Sequence, residues 1–349
     1  MEYQNFIKSS DIDILKAPKS LKQYLDIKRE NADSIIFFRL GDFYETYFED
    51  AVVLSKVCGV LLTKRKFTEL GEIPMAGVPH QNAEIYISKL TNEKYKVSIV
   101  EQVQKKEEVK KGDIIKREVI RTYSPGTLID ESFLDSRKNN YIVSILKENN
   151  KYGFSYADIS TGQFFITEGT LDNILCELSK INPSELLLKI KTREIEPMKA
   201  VPEKEADIDR EISEKYNYTL ISGDFYTLEF QNESLLEYKL GLKCANSIIT
   251  YVKETQKNFT PKLDIIKKYN ISNFLIMNQK TRENLELNRN SDDGKKFGSI
   301  FWALDECKTF MGKRLLAQWI NEPLYNKLEI EKRLDGVEEL TKKPEKIEE

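Results

Sequence analysis

The run Ile35–Leu40 (IIFFRL) continues directly into Gly41–Ala51 (GDFYETYFEDA), and the architecture turns on how these two segments are read. The first is short, β-branched and aromatic, as a buried strand is, and Gly41-Asp42 supplies the turn chemistry that ends it. Beyond the turn, Ala51, Val52, Leu54, Ser55 and Cys58 share one helical face, from a start near Glu49 to a stop at Gly59. Strand, turn and helix in succession indicate an α/β domain. Upstream, PKSLKQYLDIKRE (Pro18–Glu30) places Leu21, Tyr24, Leu25 and Lys28 at helical spacing. Downstream, the pattern predicts a strand at Val60–Leu62 and a loop holding Gly71, Pro74, Gly77 and Pro79. A helix from Asn82 and strands within Lys94–Val103 and at Glu118–Tyr123 complete the unit. Residues 1–128 thus read as a mixed-sheet α/β domain.

From about residue 139 the pattern changes. Tyr141–Leu146, Tyr152–Ile159 and Gln163–Thr167 are closely spaced strands, with turn chemistry at Asn149-Asn150 and Ser160-Thr161-Gly162, and together predict an antiparallel meander. A helix at Leu171–Leu178, a strand at Glu185–Lys189 and a charged, weakly periodic segment at 191–210 complete a second α/β domain over 129–232. Thereafter Leu235, Tyr238, Leu242, Ala245, Ile249 and Val252 recur every three or four residues, and Phe310–Ile320 and Leu328–Glu349 are also helical in pattern. Residues 233–349 read as the beginning of an all-α domain, so the whole is α/β and multidomain.

Composition bounds the function. At ~150 residues per domain, 349 residues predict roughly two to three domains. With 40% apolar and 32% charged residues, 17 Phe and 17 Tyr, disorder over the whole length is excluded. No window approaches the ~18 consecutive apolar residues of a membrane span, and the first twenty residues lack the apolar core of a signal peptide, which makes the bacterial cytoplasm the expected location. A net charge of −3 gives no hint of a polyanionic partner, so such a partner would have to meet a local patch. Cys58, Cys176, Cys244 and Cys307 each lie more than 60 residues from the next, so no zinc-type pair exists, and reduced, mostly buried thiols are expected. His80 is the single histidine, which rules out schemes needing two imidazoles.

Chemistry concentrates in GDFYETYFEDA, where two large aromatics and several carboxylates follow a strand directly. Residue type alone favours Phe43 and Tyr44 rolling back onto the core. The alternative is an exposed wedge that stacks on nucleic-acid bases, repaying an unstacking cost of about a few kcal/mol per step. A carboxylate beside such a wedge is repelled by phosphates and is useful only where it accepts a hydrogen bond from a base edge or carries a proton. Lys64-Arg65-Lys66 form a run of three cations that is either a solvated loop or a phosphate grip, which positions a duplex without reading it. Glu72–Pro79 (EIPMAGVP) suits either a rigid structural loop or close packing beside a groove.

GDFYE, then LTKR, IPMAGVP, EQV and REVIRTYSPGTL, in this order and spacing, resemble the N-terminal mismatch-binding domain of the MutS family. ADISTGQF (Ala157–Phe164) resembles that family's connector domain, and KTRENLEL with FMGKRLLAQWINEPL resembles the opening of its helical core. The resemblance covers essentially the whole chain and implies binding to double-stranded DNA carrying mismatches or small loops. On it, Phe43 matches the phenylalanine that stacks on a mispaired base in kinked DNA, and Glu45 matches the glutamate that hydrogen-bonds that base. Tyr44 stays with packing. Lys64, Arg65 and Lys66 fall where the family approaches the DNA backbone, and Met75 falls in a loop near the lesion. Pro79-His80-Gln81-Asn82 departs from the family's frequent PYHA, and neither His80 nor Gln81 is carried over as a DNA contact.

The connector resemblance also implies a ribonuclease H-like fold, in which Asp158 would stand where related nucleases place a metal-binding carboxylate, with Glu177 and Glu185 as candidates by position alone. No recognisable motif supports a nuclease. Gly223-Asp224-Phe225-Tyr226 repeats GDFY without the following glutamate and reads as coincidence. GxxxxGK[ST] does not occur, so ATP hydrolysis by this chain, and the cofactors ATP and Mg that full-length relatives use, are not expected. The resemblance makes the chain an N-terminal part of such a protein, with homodimerisation expected only of the full-length form and a repair partner protein docking on the connector. The reading is therefore a binding module and not an enzyme.

Overall fold

In a computed structural model of the chain, the described residues are 8–104, 114–129, 133, 139–190, 208–216, 218–227, 235–257 and 265–342. They fall into two compact units, Met1–Phe133 with Ile249–Lys262, and Leu134–Ile248 with Leu263–Glu349.

The first unit contains α1 (Lys19–Glu30), β1 (Ser34–Leu40), β2 (Phe43–Tyr47), α2 (Phe48–Cys58), β3 (Thr63–Phe67), β4 (Gly71–Pro79), α3 (Ala83–Asn92), β5 (Lys96–Gln102) and β6 (Arg117–Tyr123). Its six strands run in the order β3-β4-β2-β1-β5-β6. Only β1 and β5 are parallel, which makes the sheet mixed, as the sequence indicated. Three local expectations are corrected. FYETY is a strand, and the turn is confined to Gly41-Asp42, with Gly41 at φ 58°. Val60–Leu62 belongs to no strand; the strand is the cationic β3, which pairs only with β4 as a charged edge. The expected 71–79 loop is β4, a nine-residue strand despite two prolines. Pro74 lies just past the Tyr47–Met75 pair that ends the β2 ladder, so β4 has a neighbour on one side only where the proline removes a donor.

α1 packs Leu21, Tyr24, Leu25 and Ile27 against Ile36, Phe38, Tyr47, Phe48, Ile73 and Val100. Lys28, on that same buried stripe, donates to Asp50 Oδ1 at 2.8 Å and to the Ser34 carbonyl at 2.6 Å. Asp50 Oδ2 accepts from the Tyr24 hydroxyl and from the Ile36 amide, each at 2.9 Å. Burial pushes the Asp50 carboxyl up, and Lys28 acts against it. One carboxylate thus ties α1, β1 and the start of α2 together without leaving a buried charge unmatched.

The second unit contains β7 (Tyr141–Glu148), β8 (Lys151–Asp158), β9 (Gln163–Gly169), α4 (Leu171–Ile181), β10 (Glu185–Lys189), α5 (Arg210–Ser213) and β11 (Tyr218–Ile221). It continues through α6 (Lys239–Thr255), β12 (Lys267–Lys268), α7 (Gln279–Asn284), α8 (Ile300–Leu304), α9 (Phe310–Asn321) and α10 (Lys327–Lys342). α6 is shared, since its residues from Ile249 group with the first unit. The sheet order is β11-β10-β7-β8-β9-β12. β7, β8 and β9 form the expected antiparallel meander, while β10 and β11 add parallel to β7 and β12 adds parallel to β9. Residues 191–207, most of the charged segment, and the 232/233 boundary lie outside the described residues. Two expectations for the last third are corrected: β12 is a short sheet strand, and the helix at 235–252 starts only at Lys239, after a turn. None of α8, α9 and α10 buries a residue, so the apolar faces read from periodicity in α9 and α10 lie at the surface, with Phe310, Met311 and Leu334 exposed.

The four cysteines are free thiols, but only Cys244 is buried; the expectation of mostly buried thiols fails, with Cys58 at the end of α2, Cys176 midway along α4 and Cys307 between α8 and α9, all at half-buried positions. Among the described residues, no helix is long and apolar enough to cross a membrane.

Two substitutions test this packing. Lys28→Met should lower unfolding free energy by about 3–5 kcal/mol in urea titrations, because it strands the Asp50 carboxylate. Gly153 in β8 lies against the backbone of Leu240, and a Cβ there would come 2.6 Å from Leu240 Cβ. Gly153→Ala should cost about 1–3 kcal/mol by the same measurement, since backbone atoms must move.

Candidate nucleic-acid interface

β2 is paired on both sides, to β1 through Leu40–Phe43 and Phe38–Glu45, and to β4 through Phe43–Pro79, Glu45–Gly77 and Tyr47–Met75. Side chains alternate along a strand, so Phe43, Glu45 and Tyr47 share one face and Tyr44 and Thr46 take the other. Phe43, at the start of the strand, is 48% exposed. Tyr44 is buried, as its residue type suggested; its ring lies 5.8 Å from that of Phe37 and its hydroxyl donates to Glu101. The turn before Phe43 is held at two points. Arg39 Nε donates to the Gly41 carbonyl at 2.6 Å, and the His80 amide donates to the Asp42 carbonyl at 3.0 Å. His80 Nδ1 lies 3.0 Å from that same oxygen and donates to it when it carries the ring proton. The exposed ring is thus carried on fixed backbone.

Glu45 is engaged on one oxygen. Its Oε2 accepts from Arg65 Nη1 at 2.7 Å and from the Tyr47 hydroxyl, to which the same Arg65 nitrogen donates at 2.7 Å. Burial, then the bond to Glu45, pushes the Tyr47 phenol far up, so the hydroxyl keeps its proton and can only stand as a donor to the carboxylate. The guanidinium lies 6.0 Å from the Tyr47 ring centre and 5.7 Å from that of Phe67. Tyr47 was missed from the sequence; the period-two spacing of 43, 45 and 47 in FYETY is the signal that locates it, once that segment is read as a strand.

The three cations do not form one patch. Arg65 lies opposite Ile73 in the β3–β4 register and so shares the face of Phe43 and Glu45, while Lys64 and Lys66 lie opposite Pro74 and Glu72 on the reverse face. Lys64 forms an exposed ion pair with Glu72 at 3.3 Å, and Lys66 is exposed. Met75 is half-buried against the core beneath Tyr47, in a strand and not a loop, with its carbonyl accepting from Thr63 Oγ1 at 3.0 Å.

The carboxylates of the second unit are occupied separately. Asp158 is fully buried; Oδ1 accepts from the Ser160 amide at 3.0 Å, Ser160 Oγ at 2.6 Å and the Thr161 amide at 3.2 Å, and Oδ2 accepts from Asn139 Nδ2 at 2.9 Å and the Asn140 amide at 3.1 Å. Glu177 accepts from the Tyr269 hydroxyl at 2.7 Å and pairs with Lys180, and Glu185 accepts from Thr219 at 2.8 Å. Among the described residues, no three His, Cys, Asp or Glu side chains are grouped so as to hold a metal ion. The second GDFY differs from the first, because Gly223–Tyr226 is a 3-10 turn whose Tyr226 is buried, its hydroxyl bonding the Ile145 carbonyl at 3.3 Å.

Three family models match along the chain: MutS domain I over residues 19–132, MutS domain II over 140–264 and MutS domain III over 280–349. Among the most similar relatives, the DNA mismatch repair protein MutS of Clostridium tetani (strain Massachusetts / E88) is 40% identical over 93% of this chain and 37% of the relative. The proteins of that name from Clostridioides difficile (strain 630) and Syntrophomonas wolfei are 37% and 39% identical, over 94% and 92% of this chain and 35% and 38% of their own lengths. The chain therefore spans a little over a third of the relatives it matches. Matched in sequence order by domains I, II and III of one family, it belongs to the MutS family.

Proposed function

We propose that the chain recognises mispaired or looped-out bases in duplex DNA, with Phe43 as the wedge and Glu45 as the acceptor for an exposed base edge. The observation that carries this reading is an aromatic ring left 48% exposed at the start of a strand paired on both sides, with a carboxylate two residues on and on the same face. A phenylalanine left half-exposed on a fixed backbone gains only part of the burial energy its ring could supply, and the free part can stack on any base without demanding an identity. A mispair bends and unstacks at lower cost than a matched pair, so the wedge enters it preferentially, and discrimination comes from deformability. The naming of the relatives as DNA mismatch repair proteins supports the same reading.

Mismatch repair as a whole, with its ATP use, dimer formation and repair partners, is proposed here only for longer proteins of which this chain would supply the recognition step. For the chain itself the reading is binding without catalysis, in the bacterial cytoplasm or nucleoid. Residues 129–232 are read as a ribonuclease H-like connector on the strength of the β7-β8-β9 meander and the parallel addition of β10 and β11. Its buried Asp158 is committed to five hydrogen-bond donors, which supports a structural use.

Fluorescence anisotropy with G·T, single-base-loop and matched duplexes tests the wedge. Phe43→Ala should weaken binding to the first two by roughly 5- to 150-fold, the equivalent of ~1–3 kcal/mol of stacking, and leave the matched duplex nearly unchanged. An unchanged mismatch preference would remove Phe43 from the site. Replacing Lys64 and Lys66 together by Gln should weaken all duplexes alike and reduce the salt slope by about one unit per lost phosphate contact.

A further inference from the structure

The geometry points to Arg65 as a positioning residue that determines mismatch specificity by holding Glu45, and not as a grip on the DNA backbone. This rests on the wedge reading above and concerns the same face. Of the three consecutive cations, the β3–β4 register brings only Arg65 onto that face. There its Nη1 is shared between Glu45 Oε2 and the Tyr47 hydroxyl, and Tyr47 in turn donates to that same oxygen. Two donors therefore converge on one carboxylate oxygen. Among the described residues, Oε1 has no hydrogen-bond partner.

Three consequences follow. The carboxylate is fixed in one rotamer, so its open oxygen is presented in a set direction, and no ordering is needed at the moment of binding. The guanidinium beside it offsets the negative charge that would otherwise oppose the approach of phosphates. With a guanidinium and a phenol both bonded to Oε2, Oε1 is left as an acceptor for a base that presents an N–H in the distorted site. The guanidinium is itself braced between the rings of Tyr47 and Phe67, which limits its freedom to turn toward a phosphate.

The test uses the full chain with Arg65→Met, Arg65→Gln, Glu45→Gln and the Arg65→Met/Glu45→Gln double variant, each checked for an unchanged thermal transition. Binding is measured on G·T, single-base-loop and matched duplexes at two salt concentrations. Either Arg65 substitution should weaken mismatch binding about tenfold, leave matched-duplex binding within about twofold and leave the salt slope unchanged, as expected when a bond to a charged group is lost. In the Glu45→Gln background, Arg65→Met should cost almost nothing further, because the neutral amide needs no counter-charge; that non-additivity is a readout a structural role would not move. An equal loss on all duplexes with a shallower salt slope would make Arg65 a phosphate contact and overturn the inference, as would full additivity or no effect. If instead the unmodified chain shows no mismatch preference and Phe43→Ala changes nothing, the wedge reading itself fails.

Discussion

The site depends on the register of one five-residue strand. β2 is paired to β1 and β4 at once, so its alternation is imposed from both sides, and a slip of one residue would bury Phe43 and Glu45 while expelling Tyr44 and Thr46. The core resists that slip strongly. Tyr47 and Phe48 are locked against α1, and Tyr44 is held on the opposite face by the Phe37 ring and Glu101. Packing that is purely structural thereby decides which side chains face outward, and the exposed phenylalanine is a by-product of burying its neighbours.

The electrostatics of the face follow from the same register. A Lys-Arg-Lys run would give a diffuse cationic loop if it were unstructured, whereas as a strand it is divided, one cation to the face of Glu45 and two to the reverse. The near-neutral net charge of −3 fits the proposed recognition by shape and a few directed bonds, with nonspecific attraction kept small. The buried carboxylates of the second unit follow the opposite logic. Asp158 is wrapped by donors from its own turn and from Asn139-Asn140, so its carboxylate serves to tie those segments together.

Elements whose periodicity is local were legible in the sequence: α1, β1, α2, the β7-β8-β9 meander and α9 lie within a few residues of their expected positions. What could not be read was decided by pairing between distant segments. Thr63–Phe67 and Gly71–Pro79 carry cations, glycines and prolines that argue against strands, and they become strands because β4 is recruited to the open edge of β2 and β3 then covers β4. For the same reason the Arg65–Glu45 pair was invisible, since its adjacency exists only through that ladder, whereas Tyr47 required only that FYETY be read as a strand. Phe43 and Glu45 were reached through a motif, whereas the face they share was reached only through the register.

The Asp50 cluster has a consequence for how such a chain can change over time. Tyr24 and Lys28 stand one turn apart on α1 and Asp50 lies on α2, yet the carboxylate satisfies the buried polar atoms of both. Replacing any one leaves a charge or a donor stranded, and replacing Lys28 and Asp50 together by apolar residues of similar volume removes the problem. Substitutions at the three positions are therefore expected to be tolerated together and not singly. A lineage can keep the set or exchange it whole, and the poorly folded single-step intermediates act as a barrier between those two states.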